Sequence, residues 1–276
     1  MGFTTRNDVL TEAFTNGKMQ SFPFTKSTGA AVTAGRLYSF WRLSGGTLGT
    51  GADPATTPGT AYSSDFASQT AGAIWFPDVS PDTRHLYSIT AFPNNSVNLI
   101  VYDRLVGVSG ISLATTGNKT VNSTALTRYT GTEAYDNEVW LEVTTATATT
   151  APVVSLASYT SSDGSNALTG GTVTFPAAAT AADFIVQVPL NATEMGVRSV
   201  ETLNVGTAGS AGIVNVLIIK RLATIPLVTQ HPNEINFLDR LPALPRIYDN
   251  ATIGLALEGN SASAATVAGV ITTVYG

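Results

Sequence analysis

The feature that most constrains the fold is a series of short segments in which apolar residues occupy every second position. In residues 137–145, for example, Val139, Leu141 and Val143 follow this pattern. A period of two places such side chains on one face of a β-strand. β-branched Thr and Val are abundant along the chain, whereas the strong helix formers Lys and Met are scarce. The sequence therefore predicts an all-β protein.

Most predicted strands lie after residue 83 and follow one another at the spacing typical of β-sandwiches and barrels. They cover residues 85–92, 97–106, 137–145, 153–160, 171–175, 183–190, 197–205, 212–222, 251–258 and 266–275. A further strand, 36–43, is expected at a sheet edge. About ten strands are too many for one flat sheet. The prediction is therefore a two-sheet antiparallel sandwich of jelly-roll type that spans residues 36–276.

The first 35 residues are predicted to form an extended N-terminal arm that carries one short helix. Thr5 and Asp8 have the spacing of a helix N-terminal cap, and Asn16-Gly17 is a typical helix end. The residues that follow, 15–35, show no helical period and are expected to be extended. The arm, residues 1–35, is therefore predicted to be separate from the sandwich.

Two long segments without a clear period are predicted to be loops, residues 44–73 and 229–250. The first is rich in Gly, Thr, Ser and Pro, and is either a mobile surface loop or a segment that lies over a neighbouring subunit. The second carries many large apolar residues, which must be buried somewhere. It either packs over the open end of its own sandwich or docks against another subunit.

Charge and composition exclude several classes of partner and cofactor. The chain has 14 Lys and Arg against 19 Asp and Glu and no run of basic residues, so nucleic acid is not an expected partner. The longest apolar stretch, residues 212–227, is interrupted by Asn215, Lys220 and Arg221, so no membrane span is expected. The absence of Cys excludes disulfides, zinc ribbons and iron–sulfur clusters. No cofactor and no metal is expected.

Candidate catalytic residues are few. His85 and His231 are the two histidines, and each is expected to be structural, because neither belongs to a recognisable nucleophile, base and carboxylate pattern. No Gly-x-Ser-x-Gly motif occurs, although residues 107–110 approach it. Calcium-loop, HExxH and phosphate-loop motifs are absent as well. The sequence predicts no active site, and the protein is expected not to be an enzyme.

One segment offers a candidate ligand-binding face. Acidic residues cluster at Glu133, Asp136, Glu138 and Glu142, and alternation puts Glu138, Trp140 and Glu142 on the same side of a strand. An aromatic ring beside acids suits a carbohydrate site, and paired carboxylates can cleave glycosidic bonds. A half-solvated strand face produces the same pattern without any ligand. Both interpretations stay open.

Six short blocks of sequence stand out when the chain is read in order. They are residues 99–106 (LIVYDRLV), 126–129 (LTRY), 138–142 (EVWLE), 196–200 (GVRSV), 220–227 (KRLATIPL) and 244–249 (LPRIYD). Together these blocks resemble a group of tailed-bacteriophage virion structural proteins, over about residues 97–260. The resemblance implies a non-enzymatic part of the particle, made in the bacterial cytoplasm and located in the virion.

Within that group, the low charge and the predicted arm favour a capsid decoration, or cement, protein. Few charges mean a small desolvation cost when symmetric neighbours cover the surface. The expected partners are the major capsid protein and copies of the chain itself, as a homotrimer. The candidate assembly contacts are Phe14, Phe22, Phe24, Ile235, Phe237, Leu238, Leu241 and Tyr248. A chain lacking residues 1–24 is expected to fold, because the predicted strands begin later, but to attach less tightly.

Two other functions stay open at this point. One is a neck, baseplate or tail-fibre component whose sandwich binds a receptor or a carbohydrate through exposed Trp140, Tyr129 and Tyr135. The other is a carbohydrate-active enzyme that uses Glu138 or Glu142. Loss of glycan binding in a Trp140 variant would favour the first, and hydrolysis of a polysaccharide would favour the second.

Overall fold

A computed structural model describes residues 3–43, 45–64, 70–176, 183–229, 231–241, 243–260 and 262–276. Within these ranges, helix is confined to short elements. They are the α-helix α1 Arg6–Leu10, a π-helical turn Thr11–Thr15, and the 3-10 turns Gly131–Ala134 and Leu238–Arg240.

The N-terminal helix begins where the sequence predicts. The Asp8 backbone N–H donates to the Thr5 hydroxyl at 3.2 Å, and the Thr5 backbone N–H donates to the Asp8 carboxylate at 2.8 Å. This capping box satisfies backbone groups that the first helical turn leaves free. Helical structure ends at Asn16, and Gly17 follows with a φ of 67°, a conformation that favours glycine. The predicted start and end of the helix are confirmed.

About half of the described chain is β-strand. The strands are β1 Met19–Ala31, β2 Leu37–Ser39, β3 Gly45–Gly46, β4 Thr60–Ala61, β5 Arg84–Pro93, β6 Val97–Ser112, β7 Gly117–Thr120, β8 Asn137–Thr145, β9 Val153–Ser161, β10 Thr172–Thr174, β11 Phe184–Val188, β12 Val197–Thr207, β13 Ile213–Leu227, β14 Asn233–Asn236, β15 Arg246–Ile247, β16 Ile253–Gly259 and β17 Ala264–Tyr275. The all-β prediction is confirmed, and β8 has the bounds that the sequence predicts.

The strands form three antiparallel sheets. The first is a barrel in which β13, β8, β11, β2, β16 and β6 follow one another, and the ring closes because β6 also pairs with β13. The second, here the β1 sheet, has the order β14, β5, β17, β1, β3, with β15 also paired to β5. The third, here the β9 sheet, has the order β10, β9, β12, β7.

The two longest barrel strands make closure possible. β6 and β13 pair along their whole length, and each has a second partner on its other edge, β16 for β6 and β8 for β13. A closed ring removes the free edges that an open sheet presents. The predicted two-sheet jelly-roll sandwich is therefore corrected to a six-strand barrel with two further sheets. Alternation tells which residues share a face, but it does not tell which strands are neighbours.

Side chains from all six barrel strands fill the barrel interior. The rings of Tyr102 and Trp140 pack together with their centroids 4.9 Å apart. The same buried cluster contains Ile100, Ile185, Leu217, Ile219 and Ala256, with Leu37 at its edge. A Cβ atom added to Gly254 would lie 2.6 Å from Cζ of Tyr102. Glycine at position 254 therefore leaves the space that the tyrosine ring occupies.

Along each barrel strand, the neighbours of the interior residues point out of the barrel. These side chains belong to the main core, which lies outside the barrel. Leu99 and Val101 of β6 join Ile271 of β17 and Leu203 of β12 in one buried cluster. The inner faces of the β1 sheet and the β9 sheet thus cover the outside of the barrel. Burial on both faces explains why β6 and β13 read as nearly continuous apolar runs.

The predicted N-terminal arm is wrong. Residues 19–31 are extended, but they form β1, which pairs with β17 on one edge and with β3 on the other. Phe24 and Lys26 of this strand are buried. Two features hid the strand in the sequence, because Lys26 occupies an inward position and Pro23 interrupts the outward side. Residues 1–35 are therefore not separate from the rest of the fold.

The two predicted long loops have different structures. Among the described residues of 44–73 are the short strands β3 and β4, while residues 44 and 65–69 lie outside the described ranges. The segment 229–250 contributes β14 and β15, which both pair with β5. Phe237 in this segment is fully buried. The described residues of the second segment therefore pack on their own chain, along the β5 edge of the β1 sheet and not over the open end of a sandwich.

Candidate functional site

The three residues of the candidate ligand-binding face lie along the inside of the barrel. Glu138, Trp140 and Glu142 share one side of β8, as predicted, but Trp140 and Glu142 are both 0% exposed. The expected exposure of Trp140 is wrong, because the closed barrel covers both faces of β8. Tyr129 is also buried, whereas Tyr135 is 38% exposed. The barrel has a buried end near Glu142 and an open end near Glu138, and ligand binding by these three residues stays a prediction.

At the buried end, Glu142 forms an ion pair with Arg104. Nη1 and Nη2 of Arg104 donate to Oε1 and Oε2 of Glu142 at 3.2 and 3.0 Å. Nδ2 of Asn215 donates to Oε2 at 3.1 Å. The Arg104 guanidinium also packs 4.6 and 4.8 Å from the ring centroids of Trp41 and Tyr62. Burial alone would raise the pKa of Glu142, but the Arg104 guanidinium outweighs it and the pKa is lowered, so the pair stays charged.

Further charges connect this pair to the segment that follows β2. Nδ2 of Asn215 also donates to Asp53 at 2.8 Å, and Asp53 pairs with Arg42. Nε of Arg42 lies 3.2 Å from Oδ1 of Asp183. Burial raises the pKa of Asp183 to about 6, although Arg42 opposes this shift. Linked polar and charged groups therefore extend from the barrel interior toward the surface, and the neutral Asn215 amide joins the two carboxylates Glu142 and Asp53.

The raised pKa of Asp183 predicts a pH-dependent stability. A carboxyl group that holds its proton more tightly in the folded protein stabilises the fold at low pH, and this contribution is lost as the pH rises from about 4 to about 6. Asp183→Asn removes the carboxyl group that titrates, so the variant does not lose this stability as the pH rises. Arg42 keeps Asp53 as a partner in the variant. We expect urea unfolding to show the variant gaining stability relative to the unchanged protein across this interval. A difference that does not vary with pH would contradict the prediction.

At the open end, Glu138 holds Arg221. Nε and Nη2 of Arg221 donate to the two Glu138 oxygens at 2.8 and 2.9 Å, and Nε1 of Trp140 donates to Oε2 at 2.7 Å. A cavity of about 360 Å³ lies beside this group, and Arg36 and Gln187 are among its lining residues. Sequence reasoning missed the last two residues because they are far apart along the chain, Arg36 directly before β2 and Gln187 on β11.

Residues of the six sequence blocks pair with one another. Arg128 donates its Nε to Asp103 at 2.6 Å and its Nη2 to the backbone oxygen of Arg104 at 2.9 Å. The Tyr129 hydroxyl donates to the backbone oxygen of Arg246 at 2.6 Å. The ion pairs at the two ends of the barrel, described above, also join these blocks. The blocks therefore contain the polar residues that connect the strands of the fold.

The remaining sequence candidates do not meet in one site. Nδ1 of His85 lies 3.3 Å from the backbone oxygen of Leu244, and burial lowers the pKa of this histidine. His231 is exposed. The Glu133 carboxylate accepts a hydrogen bond from Arg246 at 3.1 Å. Among the described residues, no group of three or more His, Cys, Asp or Glu side chains is placed to hold a metal ion. No helix in those ranges is long and apolar enough to cross a membrane.

The eight candidate assembly contacts differ in exposure. Three are buried within their own chain, namely Phe24, Phe237 and Leu238. Four are half-buried and pack against the core, namely Phe22, Ile235, Leu241 and Tyr248. Phe14 is 63% exposed and offers a largely free ring. A role in assembly stays a prediction for all eight.

Phe24 and Phe14 provide a test that separates folding from contact. Phe24 packs closely, since a Cβ on Gly269 would lie 2.8 Å from its Cζ atom. We expect Phe24→Ala to lower the free energy of unfolding by about 3–5 kcal/mol, because it opens a cavity in the core. Phe14→Ala is expected to change it by less than about 0.5 kcal/mol. Urea unfolding of both variants measures the difference, and equal effects would refute it.

The outer face of the β1 sheet is partly exposed along its length. Its outward residues, here the β1 face, are Ser21, Pro23, Thr25, Ser27, Thr90, Phe92, Glu234, Asn236, Thr266, Ala268, Val270 and Thr272. Glu234 is the single charged residue among these twelve. Hydroxyl groups of neighbouring strands form hydrogen bonds with each other, and Oγ of Ser21 lies 3.0 Å from Oγ1 of Thr272. Sequence reasoning missed this face because it did not recognise β1 as a strand.

Comparison with known proteins gives distant similarities. No protein-family model matches the sequence, and no curated protein matches it. A structure of infectious bursal disease virus, Gx strain, is 10% identical with a TM-score of 0.20, and the match covers 94% of this chain and 82% of that one. A triple jelly-roll structure from an archaeal virus is 10% identical with a TM-score of 0.16, covering 99% and 95%. These scores are too low to place the chain in a family.

Proposed function

We propose that this protein is a non-enzymatic structural component of a tailed-phage virion, a decoration protein that binds the outside of the head shell. The β1 face is the observation on which the proposal rests. A surface designed for solubility carries about 25–35% charged residues, whereas one of the twelve residues of this face is charged. The centres of protein–protein interfaces are depleted of charge in the same way. The resemblance of the six sequence blocks to virion proteins indicates that the partner is the major capsid protein.

Buried charges support the same proposal. The charged side chains that the fold encloses are Lys26, Arg84, Asp103, Arg104, Arg128, Glu142 and Asp183. Enclosing them removes charge from a surface that already has little, since charged residues make up 12% of the chain. Covering such a surface with a neighbouring subunit costs little desolvation.

The size of the β1 face favours attachment through several copies. Strands lie about 4.8 Å apart, and successive outward residues of one strand lie about 6.8 Å apart. Each outward residue therefore covers roughly 33 Å², and the twelve residues of the face cover roughly 400 Å². A stable interface needs about 800 Å² from each partner. A homotrimer would present three such faces at once and would bind the symmetric shell far more tightly than one copy.

The first experiment is the copy number of the protein in purified virions, measured by quantitative mass spectrometry against the major capsid protein. A ratio near that of the capsid subunit would support a decoration role. A few copies to about two dozen would instead favour a neck, baseplate or tail-fibre component. Absence from the particle would refute a virion role.

The second experiment tests the β1 face directly. Phe92 is 50% exposed on this face, so Phe92→Lys adds a charge with little effect on folding. We expect the variant to bind shells that lack the native protein at least tenfold more weakly. The matched control is Asn118→Lys, an exposed residue of the β9 sheet that hydrogen-bonds Asn204 at 2.8 Å. Equal binding by the two variants would show that the β1 face is not the contact.

A further inference from the structure

The cavity at the open end of the barrel lies where two strands separate. β2 and β11 pair at Tyr38↔Phe184 and Leu37↔Ile185. Next to these pairs, the two strands line a cavity of about 360 Å³ with Arg36 on one side and Gln187 on the other. Small-molecule sites are typically clefts of about 300–1,000 Å³, so this cavity fits a small ligand.

Both walls of the cavity are held by neighbouring strands. On the β11 side, Gln187 pairs with Trp140 of β8. On the β2 side, the backbone N–H of Gly35 donates to Gly259 at 2.7 Å, and the N–H of Gly259 donates to Arg36 at 3.1 Å. The cavity is therefore a feature of the folded barrel and does not need a ligand to form.

The floor of the cavity is apolar. Leu37, Ile100 and Ile185 line it and also belong to the cluster inside the barrel. Below them the packed rings of Tyr102 and Trp140 occupy the interior. A ligand can therefore rest an apolar group on this floor but cannot pass deeper into the barrel.

The charged groups around the cavity differ in their partners. Arg221 is neutralised by both oxygens of Glu138. Glu258 accepts a hydrogen bond from Asn98 at 3.0 Å. The Arg36 guanidinium lies 5.5 Å from the ring centroid of Phe184. Within the described ranges, no carboxylate binds the Arg36 guanidinium and no side chain binds the Gln187 amide.

We propose that this end of the barrel binds a small organic carboxylate with an apolar tail. A planar guanidinium that is fixed against a ring and has free N–H groups matches a carboxylate with two parallel hydrogen bonds. The Gln187 amide adds a further donor from the opposite wall of the cavity. The tail covers Leu37, Ile100 and Ile185. The assignment does not depend on a virion role, since the isolated chain contains the whole site.

Octanoate is the probe for the first test, with 1-octanol as the uncharged match. We expect calorimetric titration of the full chain to give saturable binding of one octanoate and at least tenfold weaker binding of 1-octanol. In an NMR titration the backbone amides of Leu37, Ile185 and Gln187 should shift. No saturable octanoate binding, or equal affinity for the two molecules, would overturn the proposal. Both molecules are tested on the unchanged protein, so the result does not depend on how a variant folds.

The second test changes the guanidinium. Arg36→Gln is expected to weaken octanoate binding at least tenfold, whereas Arg240→Gln is expected to leave it unchanged. Arg240 is the matched control because its guanidinium also lies against a phenylalanine ring, 5.2 Å from the centroid of Phe237, and does not line this cavity. Unchanged binding in Arg36→Gln, or an equal loss in Arg240→Gln, would assign the octanoate to a different place and contradict the proposal.

Discussion

Glu142→Leu is expected to lower the free energy of unfolding by about 3–5 kcal/mol, because it leaves a buried charge without its partner. The Arg104 guanidinium would remain inside the barrel with no carboxylate, and Asn215 would lose one of its acceptors. Urea unfolding followed by tryptophan fluorescence measures the change. Trp41 and Trp140 are suitable reporters, since both are 1% exposed or less.

Two control variants separate the buried pair from charge removal in general. Arg104→Met combined with Glu142→Leu is expected to recover much of the lost stability, because it removes both charges together. Asp239→Asn changes an ion pair with Arg6 that is 3.8 Å long, with side chains 89% and 64% exposed. That change is expected to cost less than about 1 kcal/mol. If Glu142→Leu costs no more than Asp239→Asn, the buried pair does not stabilise the barrel.

Alternation in the sequence identified most strands but not their partners. The pattern of Val139, Leu141 and Val143 located β8 with its observed bounds. Closure depends on the pairing of β6 with β13, whose register shifts at several bulges. A bulge moves the following side chains to the other face, so the pattern in either strand alone does not give the register. Whether the strands form a sandwich or a barrel is therefore decided by contacts between distant segments.

The sequence placed the residues of the candidate site on one side of β8 but not inside a barrel. Polar residues in alternation usually indicate a solvent-exposed face, and the sequence predicts such a face, with or without a ligand, for Glu138 and Glu142. Inside a barrel, a polar residue is tolerated when it is paired. A signal for such pairing was present in residues 99–106, where Asp103 and Arg104 interrupt an apolar run. Which carboxylate each arginine binds could be known only from the fold.

Deletion of residues 1–24 is expected to abolish cooperative folding, in contrast to the outcome that the sequence favours. The deletion removes half of β1, from Met19↔Val274 to Phe24↔Gly269 in its pairing with β17. It also removes Val9, which is 0% exposed, from the main core. Losing Phe24 alone should cost about 3–5 kcal/mol, a large part of the 5–15 kcal/mol that stabilises an ordinary domain. Far-ultraviolet circular dichroism during urea unfolding measures the cooperativity.

Adding the missing segment as a separate peptide distinguishes strand loss from general damage to the chain. A peptide of residues 1–24 is expected to restore cooperative unfolding to the shortened chain, because it can pair again with the free edge of β17. The same peptide with Phe24→Ser should restore much less, since Phe24 fills the core between the β1 sheet and the barrel. A shortened chain that unfolds cooperatively without any peptide would show that residues 1–24 are an arm after all. The β1 face would then have to keep its shape without Ser21 and Pro23.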